Sequence, residues 1–543
     1  MAVPTAPPAG MPADIPAGIP ADSLAHDAAD PGEPEPTLRL EPLHAFATLR
    51  ALFADAHYDE PTVAARLGGQ TMIGAPRMAE GRTTMQGGVE DANAALIRLF
   101  IDGEPLPTAL LQALLGGEAL AACQALGVLG PAAGDPASLA PTVFLAPLQG
   151  LWLASDLVPR SASIADMRQD FVYSATNELT GHFLSCLPEA PLARTLELCA
   201  GTGVAAIRAA RGGATSVVAA DLVPRCVHFA RFNAHLNGVE DRVRVVESDV
   251  WDAIDGEPFD LVVAHPPYVP TLSHRFDFRD AGEDGEQVTR RIVEGIPGHV
   301  RRGGRVVVRT ALSDRRGATI AQRVRGWLGG ASAEFDLVQL EAMEYGPMDA
   351  YRSVTKGGRD FVDCERWLRH FEALEVERFA ICILELRRDA FGRAPITERR
   401  VLGGASSPAV ADWHFQWGRF IAGAGATPEE RLAGHRPRVA PGVRVAVHLE
   451  ADGDGGWKTV GASIETNWPS RGVVKAPALA PTLLELCDGT RDVDGVLAGL
   501  QSAGLVDEGV GRGEVAHILE VLAAAGAVAI APCPIPAPPA GAR

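Results

Sequence analysis

The sequence has no excess of basic residues. Its 543 residues include 49 Lys and Arg against 68 Asp and Glu, which gives a formal net charge of −19 at pH 7. Proteins that coat nucleic acid rely on Lys and Arg to neutralise the phosphates. The composition therefore argues against electrostatic coating of nucleic acid, although it leaves room for a local basic groove.

Long apolar runs are absent as well. No run of 18 or more apolar residues occurs, so no membrane span is expected. The N-terminal segment has no charged region followed by an apolar region, and we therefore expect no secretory signal. With 47% hydrophobic residues, the chain can nevertheless bury a sizeable core.

Cysteines are few and isolated, and none belongs to a C-x-x-C pair or to a Cys/His metal spacing. The eight are Cys123, Cys186, Cys199, Cys226, Cys364, Cys382, Cys487 and Cys533. The 14 histidines form no H-x-x-x-H or H-E-x-x-H pair. This pattern predicts reduced thiols in a cytoplasmic protein that has no disulfide scaffold, no structural zinc and no catalytic metal.

Changes in composition divide the chain into six predicted segments. Residues 1–36 hold nine prolines and no Lys or Arg, so this end cannot bury a core. We predict a disordered Pro-rich tail at 1–37, a helical N-terminal domain at 38–160, an α/β domain at 161–390, a Gly/Pro-rich linker with short strands at 391–475, a small winged-helix-like domain at 476–531 and a Pro/Ala-rich tail at 532–543.

Seven short apolar strands alternate with helical segments between residues 165 and 390. Their sequences are RTLELCA, SVVAADL, VRVVESD, FDLVVAH, RVVVRTA, FDLVQLEAM and FAICILELR. Alternation of this kind is typical of a parallel sheet with helices on its faces. The sequence therefore predicts an α/β, Rossmann-like, doubly wound sheet of seven strands.

A glycine-rich turn and two acidic residues follow the first three of these strands. Glu197-Leu-Cys-Ala-Gly201-Thr-Gly203 stands between a strand and a helix, where glycines allow a tight turn and a ligand can meet the helix N-terminus. Asp221 ends the second strand, where one carboxylate can accept from both hydroxyls of a ribose. Asp249 ends the third, where it can accept from an adenine amino group. Each carboxylate could instead cap a helix or lie in a loop.

The fourth strand runs into His265-Pro266-Pro267-Tyr268. Two prolines fix the backbone and remove N–H donors, so nearby carbonyl groups can accept from a substrate. The aromatic ring can stack on a planar group, and the polar first residue can bond a nucleophile. A rigid shelf of this kind at a strand end predicts a catalytic site rather than a simple Pro-rich loop.

Together these motifs resemble those of the class I S-adenosylmethionine-dependent methyltransferases. The resemblance is closest to the small methyltransferase group, which includes release-factor glutamine methyltransferases and ribosomal RNA N-methyltransferases. It is strong over residues 165–312 and weak over 40–390. It implies a methyltransferase domain at 161–390 and S-adenosylmethionine as the cofactor.

The resemblance also implies two sets of site residues. The cofactor set comprises Glu197, Cys199, Gly201, Gly203, Asp221, Leu222, Asp249, Val250 and His265. The catalytic set comprises His265, Pro266, Pro267 and Tyr268. In this set His265 and the Pro266 carbonyl would accept from the substrate, and Tyr268 would form a stacking wall. The aromatic residues of segment 170–174 either cover the cofactor or belong to the core.

One residue departs from the family pattern, because His265 stands where the family has Asn. A neutral histidine accepts through one nitrogen and donates through the other, and it acts as a base if its pKa suits. Glutamine or adenine as the methyl acceptor therefore does not follow from the resemblance.

The main interpretation is an N-methyltransferase that acts on a protein, peptide or small-molecule acceptor and has no membrane partner. Two alternatives stay open. An RNA or DNA base N-methyltransferase would need a basic groove, for example from Arg290, Arg291, Arg301 and Arg302. A non-catalytic binding module would keep the fold and use the flanking domains to hold a peptide.

Overall fold

The computed structural model describes residues 38–74, 85–157, 167–189, 192–272, 274–355, 361–401, 407–423, 425, 427–451, 453, 455–466 and 472–530. These residues form two compact units, one within the ranges 1–184, 188–329 and 344–381, the other within 185–187, 330–343 and 382–543. The predicted tails at 1–37 and 532–543 lie outside the described residues.

The helices are α1 Leu43–Asp55, α2 Glu60–Arg66, α3 Ala92–Phe100, α4 Thr108–Leu115, α5 Gly117–Ala125, α6 Glu178–Ser185, α7 Val204–Arg211, α8 Pro224–Leu236, α9 Gln287–His299, α10 Ile320–Trp327, α11 Pro347–Thr355, α12 Phe361–Ala373, α13 Pro408–Gly423, α14 Pro428–Arg431, α15 Ala480–Leu486, α16 Val493–Ser502 and α17 Arg512–Ala524. None of these described helices is long and apolar enough to cross a membrane.

The strands are β1 Leu106–Pro107, β2 Leu129–Ala132, β3 Asp135–Pro141, β4 Val143–Leu148, β5 Leu151–Asp156, β6 Arg194–Leu198, β7 Ser216–Asp221, β8 Val243–Glu247, β9 Phe259–Ala264, β10 Val300–Arg315, β11 Asp336–Tyr345, β12 Val376–Arg387, β13 Thr397–Val401, β14 Arg438–Val439, β15 Arg444–Ala451, β16 Trp457–Thr466, β17 Gly472–Ala476 and β18 Val528–Ala529.

The N-terminal segment combines helices with two small antiparallel sheets. β3 lies between β1 and β2, and β4 pairs with β5. The sequence predicted the helices, which α1–α5 supply, but it did not predict the sheets. β4 has the sequence VFLAPL and is buried throughout, so it lacks the alternation of apolar and polar residues that signals a strand.

Two asparagines, one in α8 and one directly after its last residue, take the place of a neighbouring strand beside β5. The Asn233 side chain accepts from the N–H of Ala154 at 2.7 Å and donates to the Ala154 carbonyl at 3.0 Å. Asn237 does the same for Trp152, at 3.0 and 2.7 Å. Residues four apart share one helix face, so the two amides reach alternate residues of β5. They thereby attach the hairpin formed by β4 and β5 to α8.

The central sheet has the strand order β13-β11-β12-β10-β9-β6-β7-β8. Five consecutive strands of the chain, β6–β10, pair in parallel in the spatial order β8-β7-β6-β9-β10. This order confirms the predicted α/β doubly wound class. The neighbours β6 and β9 are not consecutive in the chain, and at such a switch point a crevice opens at the carboxyl ends of the strands.

The sheet has eight strands, one more than predicted. The added strand is β13, which pairs in parallel with β11 so that Thr397 lies opposite Leu337. Its sequence, TERRV, alternates exposed and half-buried residues, as suits the edge of a sheet. It lacks the apolar run by which the other seven strands were recognised, so the pattern did not reveal it.

The second unit contains more regular structure than a linker. Helix α13 and all but the last residue of the antiparallel sheet β15-β16-β17 fall within 391–475, where the sequence predicted a linker with short strands. The C-terminal helices α15–α17 are accompanied by β18, which pairs with β14. The sequence predicted three helices and one short strand for 476–531, and it did not predict the pairing with β14; the domain boundaries themselves stay predictions.

A buried histidine in α13 gives this unit a testable pH response. His414 is 1% exposed, neither ring nitrogen has a hydrogen-bond partner among the described residues, and the Trp413 ring lies 5.0 Å away. Burial, aided by the charge of Arg400, lowers its pKa to about 3. In the unfolded chain the same histidine has a pKa of about 6.5. Between about pH 3 and pH 6.5 the unfolded chain therefore binds a proton that the folded chain does not bind. Stability therefore falls as the pH drops through this window, by up to about 1.4 kcal/mol per pH unit.

Replacing this residue with an apolar one should remove the response. The measured quantity is the unfolding temperature of His414→Phe minus that of the unmodified chain. We expect this difference to rise as the pH is lowered from 7 to 5. The exposed His44 offers the matched control His44→Phe. A difference in unfolding temperature that stays constant with pH would contradict the prediction.

Candidate active site

A cavity of about 400 Å³ lies where the strand order predicts a crevice. This volume falls within the range of sites that hold small molecules. Ten of the predicted site residues line the cavity, namely Cys199, Gly201, Asp221, Leu222, Asp249, Val250, His265, Pro266, Pro267 and Tyr268. Glu197 and Gly203 lie outside its lining, and both have contacts that explain their presence in the motif.

Glu197 joins the end of β6 to the start of α7. Its carboxyl oxygens accept from the N–H groups of Ala205 at 3.2 Å and Ala206 at 2.7 Å. The side chain is 3% exposed, and this burial raises its pKa to about 8, although the two N–H groups oppose the rise. The structure thus places Glu197 at a helix N-terminus that would otherwise have unpaired donors, rather than at the predicted cofactor surface.

The glycines of the turn have different surroundings. Gly201 has φ +53°, and a Cβ added there would meet nothing within 4 Å, so the backbone is open toward the cavity. Gly203 has φ +76°, and a Cβ would lie 3.1 Å from that of Ala230 in α8. Gly201 therefore allows a ligand to approach the backbone, while Gly203 allows two helices to pack closely. Burial raises the pKa of the neighbouring Cys199 thiol, which argues against a reactive thiolate.

Asp221 connects the glycine turn to the end of β7. One carboxylate oxygen accepts from the Gly201 N–H at 2.8 Å, and the other accepts from the Val223 N–H at 3.0 Å. Burial raises the pKa of this carboxyl, and the two N–H groups lower it. A hydrogen bond from the Cys226 thiol lowers this pKa as well. A carboxylate has about four acceptor positions, so about one stays available toward the cavity.

Asp249 lies at the cavity rim and already has a basic partner. Its carboxylate accepts from Arg291 of α9 at 2.7 Å, and both side chains are about half exposed. The next residue, Val250, has φ +57°, which is strained for a β-branched side chain. Strain of this kind is common where a backbone is held in place beside a ligand site.

The shelf contains a contact that the sequence did not predict. Arg309, in β10, is 1% exposed and donates from one nitrogen to His265 Nε2 at 3.2 Å and to the Tyr268 hydroxyl at 3.0 Å. The His265 and Tyr268 rings are nearly parallel, at 14°. The sequence signal for this contact is the second Arg of the apolar strand RVVVRTA. A charge in the middle of a buried strand needs a polar partner.

The shelf is supported from behind by close backbone contacts. Gly285 has φ +73°, and a Cβ there would lie 2.7 Å from the Tyr268 carbonyl oxygen and 2.8 Å from the Pro270 nitrogen. The backbone of Val269 donates to the Arg279 carbonyl at 2.9 Å and accepts from the Ala281 N–H at 3.0 Å. A buried cluster that includes Trp367 and Phe371 packs against Tyr268. The shelf is thus held rigidly by residues that follow it in the chain.

Residues from before β6 close the cavity on another side. Asp170, Phe171 and Tyr173 line it, and the Tyr173 ring stacks on Phe278 at 5.3 Å. Segment 170–174 was predicted either to cover the cofactor or to belong to the core, and this arrangement places it at the cavity. No sequence motif predicted the lining residues Asn177, Thr180 and Phe183, which belong to or directly precede α6.

Comparison with known proteins identifies this segment. Residues 169–316 match the family model of the methyltransferase small domain. The match confirms the resemblance drawn from the sequence, and it covers the glycine turn, both acidic strand ends and the shelf. The segment also includes α6–α9 and β6–β10, the part of the chain that forms the cavity.

Relatives of the methyltransferase small domain include enzymes that modify glutamine. A release factor glutamine methyltransferase of Deinococcus radiodurans is 35% identical over 148 residues, which cover 25% of this chain and 51% of that protein. A ribosomal protein uL3 glutamine methyltransferase of Francisella tularensis is 28% identical over 129 residues, 22% of this chain and 41% of that protein. This chain thus spans about half the length of these relatives.

The chain is also similar to an RNA methyltransferase and to the solved structure of a ribosomal protein methylase. The ribosomal RNA large subunit methyltransferase K/L of Pseudomonas paraeruginosa is 40% identical over 97 residues, 16% of this chain and 13% of that protein. The crystal structure of a ribosomal protein L11 methylase from Lactobacillus delbrueckii aligns with 39% of this chain and 76% of its own, at 17% identity and a TM-score of 0.22. The fold assignment rests on the strand order described above.

Proposed function

We propose that this chain is an S-adenosylmethionine-dependent N-methyltransferase whose acceptor is a side-chain amide of a protein. The observation that carries this proposal is one cavity shared by the glycine turn, both acidic strand ends and the Pro-Pro shelf. The glutamine methyltransferases among the relatives support a protein amide as the acceptor. The isolated free cysteines support a cytoplasmic location.

The cavity residues fit the cofactor. Gly201 leaves its backbone open, the Asp221 carboxylate keeps about one acceptor position, and Leu222 and Val250 offer apolar surface beside it. These residues would hold the nucleoside, with Asp221 at the ribose hydroxyls and Asp249 near the base. S-adenosylmethionine supplies a methyl group that is already activated by a sulfonium.

The remaining task of the protein is to orient the acceptor and exclude water. A nucleophile must lie in line with the methyl group at about 3–3.5 Å. The Pro266 carbonyl accepts no hydrogen bond within the described part of the chain, so it can accept from an acceptor N–H. Phe171, Tyr173 and Phe278 provide the apolar surface that keeps water away.

Three of the four arginines that a basic groove for nucleic acid would use already face carboxylates. Arg291 pairs with Asp249, Arg301 pairs with Asp260, and Arg290 lies 3.6 Å from Asp284. A cation that is paired with a carboxylate has to give up that pair in order to bind a phosphate. These pairs favour a protein acceptor over RNA or DNA.

Labelled methyl transfer tests the proposal. The full chain is incubated with methyl-labelled S-adenosylmethionine and a cell extract, which is then separated into protein, RNA and small-molecule fractions. We expect label in protein, released as methylamine on acid hydrolysis, because hydrolysis of an N-methylamide yields methylamine. Label in RNA, or protein label that resists release as methylamine, would overturn the proposed acceptor.

A further inference from the structure

Arg309 is a buried cation with no acidic partner in the part of the chain that the structure describes. Val308 pairs with Ala264 across β10 and β9, so Arg309 stands level with His265 at the carboxyl end of the sheet. Its side chain is 1% exposed, and no carboxylate of the described residues forms an ion pair with it. Burying an unpaired charge is costly, so the contacts that Arg309 does make require an explanation.

Those contacts fix the protonation of His265. A guanidinium only donates, so the 3.2 Å contact from Arg309 requires an unprotonated Nε2 on His265. The same nitrogen of Arg309 donates to the Tyr268 hydroxyl at 3.0 Å, and the guanidinium carbon lies 5.4 Å from the centre of the Tyr268 ring. The arginine is thereby held between the two side chains that form the shelf.

The groups around His265 keep its ring neutral. Burial lowers its pKa well below the ordinary value, and the charges of Arg309 and His182 lower it further. The pKa of His182 is itself lowered to about 4, by burial and by Arg309. A neutral imidazole whose Nε2 accepts must carry its proton on Nδ1. Within the described residues Nδ1 has no partner, and the ring lines the cavity.

We propose that Arg309 is a positioning residue that holds His265 as a hydrogen-bond donor, so that the site takes an acceptor which turns a carbonyl oxygen, rather than an N–H, toward His265. This reverses the sequence expectation that His265 accepts from the substrate. It also removes the alternative that His265 is a general base. The identity of the acceptor as an amide rests on the proposed function, whereas the state of His265 does not.

Methyl transfer to an amide can proceed without any proton transfer to or from His265. The nitrogen electron pair forms the new N–C bond while the C–S bond breaks and its electron pair stays on sulfur. The methylated nitrogen then loses one proton to water, and no base is needed because a protonated amide is a strong acid. His265 neither gains nor loses a proton, since its Nδ1–H only orients the amide so that the nitrogen faces the methyl group.

Nuclear magnetic resonance of the unmodified protein tests the proposal directly. Long-range nitrogen–proton spectra of full-length protein labelled with ¹⁵N-histidine report the tautomer, and His265→Asn assigns the signal. We expect Nδ1 to be protonated, Nε2 to be unprotonated, and no titration between pH 5.5 and 8. A protonated Nε2, or titration near pH 6.5, would overturn the proposal even if no acceptor is known.

Substitution of the arginine tests its role. In Arg309→Met we expect the pKa of His265 to rise and both tautomers to appear, with kcat at least tenfold lower and affinity for S-adenosylhomocysteine unchanged. Arg309→Lys keeps one donor and should retain the Nδ1–H tautomer. The control is Arg316→Met, at an exposed position directly after β10. It should change neither the tautomer of His265 nor kcat.

The two proposals can fail separately. An unchanged tautomer and pKa in Arg309→Met would show that Arg309 does not position His265, whatever the acceptor is. If Arg309→Met loses the single Nδ1–H tautomer of His265 but keeps its methyl-transfer activity, the tautomer does not determine how the acceptor binds. Absence of methylated amide from the unmodified protein would contradict the proposed function and leave the tautomer result standing.

Discussion

Asp221→Asn should lower the affinity for S-adenosylhomocysteine by about tenfold or more. The carboxylate accepts from the N–H groups of Gly201 and Val223 at 2.8 and 3.0 Å, and an amide has only one oxygen to serve both. The amide NH₂ would then face a backbone donor, which disturbs the glycine turn. One charge-assisted hydrogen bond is worth about 1.5–3 kcal/mol, and 1.4 kcal/mol corresponds to tenfold in affinity.

The control for this variant is the same substitution outside the cavity. Asp255 is 87% exposed and lies 3.4 Å from the exposed Arg244, so Asp255→Asn should leave the affinity unchanged. Calorimetric titration compares the two variants, and the unfolding temperature of each shows whether the fold persists. Equal affinities for the two variants would contradict the assignment of Asp221 to the cofactor.

Gly285→Ala should abolish most of the turnover and leave cofactor binding nearly intact. The added methyl group would lie 2.7 Å from the Tyr268 carbonyl oxygen, closer than real Cβ contacts, so the shelf must shift. Displacement of catalytic groups by about 1 Å can cost about 100-fold in rate. Gly285 touches the shelf and not the glycine turn, so kcat is expected to fall much more than the affinity for S-adenosylhomocysteine.

The control for Gly285→Ala is Gly303→Ala, which introduces similar backbone strain but does not displace the shelf. Gly303 has φ +78°, nearly the same as the +73° of Gly285, but a Cβ there meets nothing within 4 Å. Both variants therefore bear the cost of a left-handed alanine, about 1 kcal/mol, and only one moves the shelf. Equal turnover in the two variants would show that the position of the shelf is not critical to catalysis.

Local patterns were sufficient to predict the scaffold of the site. Each of the first four strands of the sheet is an apolar run followed by a glycine, an acidic residue or the Pro-Pro shelf. Because parallel strands end at the same edge, these motifs had to converge, and ten of the predicted residues line one cavity. The family match over 169–316 agrees with the same motifs.

What the sequence could not predict depends on contacts between distant residues. Glu197 has the position of a cofactor ligand in the motif, but the first turn of α7 provides the N–H groups that it accepts from. Arg309 and His265 are 44 residues apart and meet only because β9 and β10 are neighbours. The direction of the His265 hydrogen bond is set by this neighbour, so the motif alone suggested an acceptor.

The cofactor site is tested most directly by calorimetric titration of the full chain with S-adenosylhomocysteine. We predict one-to-one binding in the micromolar range, greatly weakened in Asp221→Asn and unchanged in Asp255→Asn. No binding at millimolar ligand would contradict the assignment of the cavity to the cofactor. The glycine turn would then be purely structural, and the chain would be a binding module that has the fold of a methyltransferase without its cofactor.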